Sequence, residues 1–372
     1  MSSFAQSTSG ETFVLNLGPQ HPATHGVLRI KLIMDGEYIA DAEPVLGYAH
    51  RMHEKMGENR GWAQFMPNTG RLDYLHALAY NHCFCCLVER ATGIEVPERA
   101  EYVRVITSEL NRISSHLLWF GAFVLDLGGF SPLLYAFDDR EQILDLLESV
   151  TGSRLTYSYF RFGGLYNDID ENFVPGARAF VKRMRERLPM YHDLVTKNVI
   201  LIKRLKDVGF VDAEMCRKYG ATGPVARGAG INFDVRKHEP YSVYPELDFD
   251  IPVYPEADSM ARYMVRMDEI VQSLRIIEQA LDKLPEGPVM APKVPKSMKP
   301  PKGDYYHAVE TARGSFGIRA VSDGTNVPWR LKLRTPGYSN LIVFGEACRG
   351  MLLPDALALL GSLDLVIPEI DR

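Results

Sequence analysis

The stretch EYVRVITSELNRISSHLLWFGAFVLDLGG, residues 101–129, decides the fold. Its apolar residues recur at helical spacing, no proline interrupts it, and it stops only at the pair Gly128-Gly129. Pro97 stands where the first turn would open, a position that tolerates its missing N–H. The spacing predicts a helix of about eight turns. A helix this long and this apolar calls for burial among others, so a helical bundle is expected at the centre of the molecule.

Helical periodicity also covers Leu72–Ala91, which stops before Gly93, and roughly residues 133–150, 173–206 and 257–284. On the N-terminal side, FVLNL (13–17) and VLRIKLIMDGEYIADAEPVL (27–46) alternate apolar and polar residues around Asp35-Gly36, the pattern of a hairpin. On the C-terminal side, YYHAVET, GIRAVSD and WRLKLRT have strand character, with turns at Gly314 and Asp323-Gly324. The expected class is α+β, mainly helical: an N-terminal antiparallel sheet, a central long-helix bundle and a small C-terminal sheet. The expected division is a flexible arm (1–10), a β unit (11–48), a helical core (49–286), a Pro- and Lys-rich linker (287–303) and a C-terminal α/β segment (304–372).

Composition narrows the function classes. With 372 residues, 46% hydrophobic and 24% charged, the chain can bury a large core. A net charge of -5, with both signs mixed throughout, offers no phosphate-tracking stripe, so no nucleic-acid partner is expected. No apolar run approaches the roughly 20 residues of a membrane span, and MSSFAQSTSGE lacks the regions of a signal peptide. The expected location is therefore the cytoplasmic side, or its organellar equivalent, with membrane association only through partners. Five cysteines, three of them clustered at 83–86, do not form a disulfide framework.

Individual motifs say less. Neither the dinucleotide fingerprint nor the P-loop is present; FGGLY (162–166) and ARGAGIN (226–232) fit neither, so the chain is a poor binder of NAD or ATP by itself. CFCC (83–86) reads as small buried helix residues. His50, His53 and Glu54 have ligand-like spacing for zinc but no third ligand in frame. GPQHPATHG (18–26) brackets two histidines with Gly and Pro, a rigid turn that is either structural or displays an imidazole to a ligand. In RLDYLH (71–76) the expected helix start puts Arg71 and Tyr74 on one face; an arginine and a phenol there would suit a quinonoid ligand, or form an ordinary helix N-terminus with Asp73 near the dipole.

Taken together, GPQHPATHGVLRI (18–30), GYAHRMHEK (47–55), RLDY, IEVPERAEYVRVITSELNRISSHLLW (94–119), GGFSPLLYAFDDRE (128–141), YFRFGG (159–164), GPVARGAGINFDVRK (223–237), VSDGTNVPWRLKLR (321–334) and the terminal EIDR resemble the D-type, quinone-site subunits of complex I, in order and over nearly the whole chain. That family is homologous to the large subunit of nickel–iron hydrogenases, so the resemblance implies a hydrogenase large-subunit-like fold. It also implies a proton-translocating NADH:quinone oxidoreductase in which this chain forms the quinone cavity. Its implied partners are the B-type subunit, which carries the terminal 4Fe–4S cluster, the C-type subunit, and a membrane subunit lining the quinone entry. NAD and flavin would be bound elsewhere in the complex, and this chain alone would bind no cofactor.

Carried over by resemblance, His25 and Tyr74 are the quinone headgroup ligands, Asp126 pairs with His25, and Arg71 lies against the neighbouring cluster. The four hydrogenase cysteine positions fall on Asp73, His76, Val366 and Glu369, so no nickel–iron centre is expected. Three departures stand out. Met52 replaces a family glycine in HRMHE, Thr156 replaces a histidine near the cluster, and a His-, Phe- and Lys-rich helix is missing at 292–302. The last resembles the branch fed by coenzyme F420H2 and leaves that donor, or ferredoxin, as an alternative to NADH; a non-catalytic scaffold is the other alternative.

Overall fold

The computed structural model describes residues 12–20 and 26–372. The expected arm and both histidines of the GPQHPATHG turn, His21 and His25, lie outside the described residues. Strands β1 (Phe13–Leu17), β2 (Arg29–Asp35) and β3 (Tyr38–Val45) form an antiparallel sheet in sequential order, with the turn at Gly36-Glu37. Two short helices follow, α1 (His53–Gly57) and α2 (Trp62–Thr69). The bundle is then built from α3 (Ala77–Thr92), α4 (Glu98–Asp126), α5 (Ser131–Thr151), α6 (Phe173–Tyr191) and α11 (Ser259–Asp282). Between α5 and α6 lies a minimal hairpin, β4 (Phe160–Arg161) and β5 (Gly164–Leu165). Between α6 and α11 come the short helices α7 (Val199–Leu205), α8 (Ala213–Tyr219), α9 (Pro224–Arg227) and α10 (Val235–His238). Strands β6 (Gly303–Thr311), β7 (Gly314–Ser322) and β8 (Arg330–Arg334) make the C-terminal antiparallel sheet, and α12 (Pro336–Ala347), α13 (Leu353–Ser362) and α14 (Ile367–Asp371) close the chain. The fold is α+β and mainly helical. No helix among the described residues is long and apolar enough to cross a membrane.

The 29-residue α4 begins one residue after Pro97 and is buried along most of its length. Its core is not purely apolar. Glu109, Arg112 and His116 are fully buried, and each finds a partner from a distant segment. Arg236 binds Glu109 at 3.1 Å and Asp234 at 2.7 Å, Arg227 binds Glu310 at 2.8 Å, and His116 Nε2 lies 2.8 Å from Glu269. The GPVARGAGINFDVRK segment therefore supplies the counter-ions of the bundle interior. Buried charges persist only when paired in this way.

Two expected helices differ in extent. The one read from Leu72 begins at Ala77, because the Asp73 carboxylate accepts the N–H groups of Leu75 (2.9 Å) and His76 (3.1 Å) and holds residues 73–76 in a turn. The one read as 173–206 breaks after Tyr191 into a wide turn, His192–Thr196, and restarts at Asn198, whose side chain caps α7 through Ile200 N at 2.9 Å.

The N-terminal sheet does not stand apart: Leu28, Ile30, Leu32 and Ile39 share one core with α8, α9, α12 and α13, while α3–α6, α11 and the C-terminal sheet share the other. The extended segment after α11 is pinned across the β4–β5 hairpin, with Ala291 N donating to Gly163 O at 2.8 Å.

Met52 occupies left-handed backbone, φ 55°, ψ 39°, the conformation that glycine adopts without cost. Here that conformation carries a side chain. Met52→Gly is expected to stabilise the chain by about 0.5–1 kcal/mol: ~1–2 kcal/mol of relieved strain, less the ~0.5–1 kcal/mol entropy cost of glycine. A denaturation midpoint that falls would contradict this.

Candidate functional site

The turn preceding α3 carries the site. Arg71 and Tyr74, both exposed, line one open cleft of about 420 Å³ together with Tyr48, His50, Arg51, Thr156 and Pro368. They reach it from a turn and not from the helical face expected above. The opposing wall, residues 48–51, is set by the far end of the chain: Asp371 accepts Gly47 N at 2.9 Å and Ala49 N at 2.7 Å, and its carbonyl takes the His50 Nδ1 proton at 2.7 Å. This is what the terminal EIDR does.

Tyr74 is 39% exposed, and among the described residues none hydrogen-bonds its hydroxyl. Partial burial, reinforced by the Asp73 charge, raises the phenol above its ordinary range. Thr156 shares this cleft and sits at φ 58°.

Asp126 is the last residue of α4, exposed, and is not among the cleft-lining residues. His25 is outside the described residues. Gly26, the residue after it, packs on α14: a Cβ there would come 3.0 Å from Ile367 Cγ1, and Ile367 precedes the cleft residue Pro368. Of the four expected site residues, the structure brings Arg71 and Tyr74 together.

Beneath the cleft is a buried polar cluster that sequence reading missed. Arg313, on the β6–β7 turn, donates to Asp73 (2.7 Å), Ser115 (3.1 Å) and Asp364 (3.3 Å). Glu369 accepts Gly337 N at 2.9 Å and the Tyr80 hydroxyl. His76 takes the Ala312 N–H on Nδ1 at 2.9 Å and donates from Nε2 to Ser108 O at 3.1 Å, which fixes a neutral ring; burial holds it well below the usual histidine range. No local pattern marks Arg313, which lies beside Gly314 in the turn between two strands.

These contacts decide whether a hydrogenase metal fits. Of the positions expected to replace its cysteines, His76 has both ring nitrogens engaged, Asp73 is held by a guanidinium, and Val366 has no donor atom. The residues do not fit a nickel–iron centre. Among the described residues no cluster of three or more His, Cys, Asp or Glu side chains could hold a metal ion. His50 and Glu54 are likewise committed, to Asp371 and to Lys332 and Leu333. Cys83 and Cys85 are buried helix residues, as expected, and all five cysteines are free.

The family model described as respiratory-chain NADH dehydrogenase, 49 Kd subunit, matches residues 126–298 and 292–372. The D-type subunit of NADH-quinone oxidoreductase from Desulfotalea psychrophila is 72% identical over 362 residues, covering 97% of each chain. The chain belongs to this family of complex I subunits. The second D-type subunit of Opitutus terrae is 67% identical over 97% of this chain and 91% of its own, and that of Syntrophobacter fumaroxidans 58% over 99% of both. As a member of this family, the chain has the other subunits of an NADH-quinone oxidoreductase as its partners.

Proposed function

We propose that this subunit binds the quinone headgroup in the Tyr74 cleft and supplies a proton as quinone is reduced, within a proton-translocating NADH:quinone oxidoreductase. The observation that carries the reading is the Tyr74 hydroxyl: a phenol at the wall of a ligand-sized cleft, with no hydrogen-bond partner among the described residues and an arginine beside it. A reduced quinone oxygen is a strong base, and a phenol placed against it both stabilises the developing charge and donates. His25 serves the other carbonyl oxygen, and Asp126 orients His25 and favours its charged form. Packing of Gly26 on α14 supports this arrangement.

Electrons arrive from the 4Fe–4S cluster of the B-type subunit, with Arg71 lying against that cluster. The C-type subunit and a membrane subunit at the quinone entry complete the surroundings. NADH is the donor, through NAD and flavin sites elsewhere in the complex, and the subunit lies peripherally on the cytoplasmic face of the inner membrane. A cation beside a cluster favours its reduced form. Arg71→Met is therefore expected to lower the midpoint potential of the terminal cluster in a redox titration; an unchanged potential would remove Arg71 from this role.

The reading is tested with a photoreactive quinone analogue on the assembled complex. Label that competes with quinone should map to residues 48–51 or 71–74; competed label confined to other segments would contradict the reading.

A further inference from the structure

Next to the cleft residue Pro368 in the chain stands a carboxyl group, Glu369, that the quinone reading leaves unused. Asp73, Asp364 and Glu369 surround Arg313, whose guanidinium binds Asp73 at 2.7 Å and Asp364 at 3.3 Å; Arg266 adds a second cation to Asp364 at 3.8 Å. Glu369 is fully buried, and among the described residues no cation lies within ion-pair distance of it. Its oxygens meet only neutral donors, the Gly337 N–H at 2.9 Å and the Tyr80 hydroxyl. The contact is close: a Cβ on Gly337 would collide with Glu369 Oε1, so a side chain there would have to displace the carboxyl group. Of these three carboxyl groups, Glu369 alone has no cation at ion-pair distance among the described residues, the environment that favours a neutral carboxyl. Burial, then the Asp73 charge, push Glu369 up to about 8.

We propose that Glu369, with Tyr80, holds the proton that restores Tyr74 after Tyr74 has protonated the quinone. The proposal rests on the reading of Tyr74 as donor. Quinone takes two electrons from the neighbouring cluster. The Tyr74 O–H bond breaks, an O–H bond forms at one quinone oxygen, and a phenolate remains; the second quinone oxygen takes its proton from His25. The Glu369 O–H bond then breaks, the Tyr74 O–H reforms, and the Glu369 carboxylate is reprotonated from solvent. The transfer runs downhill, from an acid near 8 to a phenol held above its ordinary value. Asp73, adjacent to Tyr74, acts electrostatically on both groups, and Pro368, adjacent to Glu369, lines the Tyr74 cleft, so the two border one small region.

Glu369 acts through Tyr74 and does not touch quinone, so pH is the decisive readout. The charged and titratable groups facing it are Asp73 before α3, Tyr80 on α3, Arg313 on the β6–β7 turn and Arg334 at the end of β8. Quinone turnover of the assembled complex should fall on the alkaline side near pH 8, as Glu369 loses its resting proton. Tyr80→Phe should move that limb upward, because the lost hydrogen bond stabilised the carboxylate. Glu369→Gln, which keeps the hydrogen-bonding shape, should abolish the limb and lower neutral turnover by about 10-fold, below the ~10²–10⁴ of a group on the reacting atoms, with KM changed less than about twofold. Infrared spectra of the parent at pH 7 should show a protonated-carboxyl band missing from E369Q. If E369Q fails to assemble, the Tyr80→Phe limb and the parent's band decide. Parental turnover and an intact alkaline limb in E369Q, a limb unmoved in Tyr80→Phe, or no protonated-carboxyl band in the parent would overturn the proposal. Tyr74→Phe separates the two readings: inactive Tyr74→Phe with unchanged E369Q sinks this inference alone, whereas active Tyr74→Phe sinks the quinone reading with it.

Discussion

Tyr74→Phe in the assembled complex is expected to lower quinone turnover by about 100-fold or more while leaving assembly intact. The substitution removes one oxygen and keeps the ring that shapes the cleft wall. Because that hydroxyl bonds to none of the described residues, its loss leaves no buried group unsatisfied, and stability should change by less than about 0.5 kcal/mol. What disappears is a proton donor and a hydrogen bond to developing negative charge, and each such group typically supplies ~10²–10⁴-fold. Steady-state quinone reduction, with electron transfer to artificial acceptors upstream of the quinone as control, checks it. A scaffold without a working cavity would show unchanged turnover.

The second large effect concerns the cluster beneath. Arg313→Met is expected to destabilise the subunit by about 3–5 kcal/mol, since Asp73 and Asp364 would be left buried without their shared guanidinium. Ser115 would also lose its partner, and the Asp73 turn that presents Tyr74 would lose its anchor. Reduced yield of assembled complex and an earlier thermal transition of the peripheral arm are the measurable consequences. Adding Asp73→Asn should recover part of the loss, because the uncompensated charge is then removed; a double variant no better than the single one would show that the charge is not the cause.

The bundle was legible because helical periodicity over 29 residues of α4 has no competing interpretation. The hairpin around Asp35-Gly36 and the three C-terminal strands were legible for the same reason at period two. The site was not. Asp73 binds the backbone two and three residues on, and this local bond overrides the helical pattern that began at Leu72. The cleft's second wall depends on Asp371 bonding to Gly47, 324 residues away, a pairing that no local pattern contains. Glu109 and Arg112 are spaced like a surface pair on α4 but are buried, because Arg236 arrives from 127 residues away. Arg71 and Tyr74 were named through family resemblance; spacing alone left them at an ordinary helix start.

The measurement that bears most directly on the central claim is a structure of the assembled complex with a quinone-site inhibitor or quinone analogue bound. The account predicts the headgroup in the cleft between Tyr48–Arg51 and Tyr74, with one of its oxygens within hydrogen-bond distance of the Tyr74 hydroxyl. A competitive ligand held firmly elsewhere, with that hydroxyl unengaged, would contradict it.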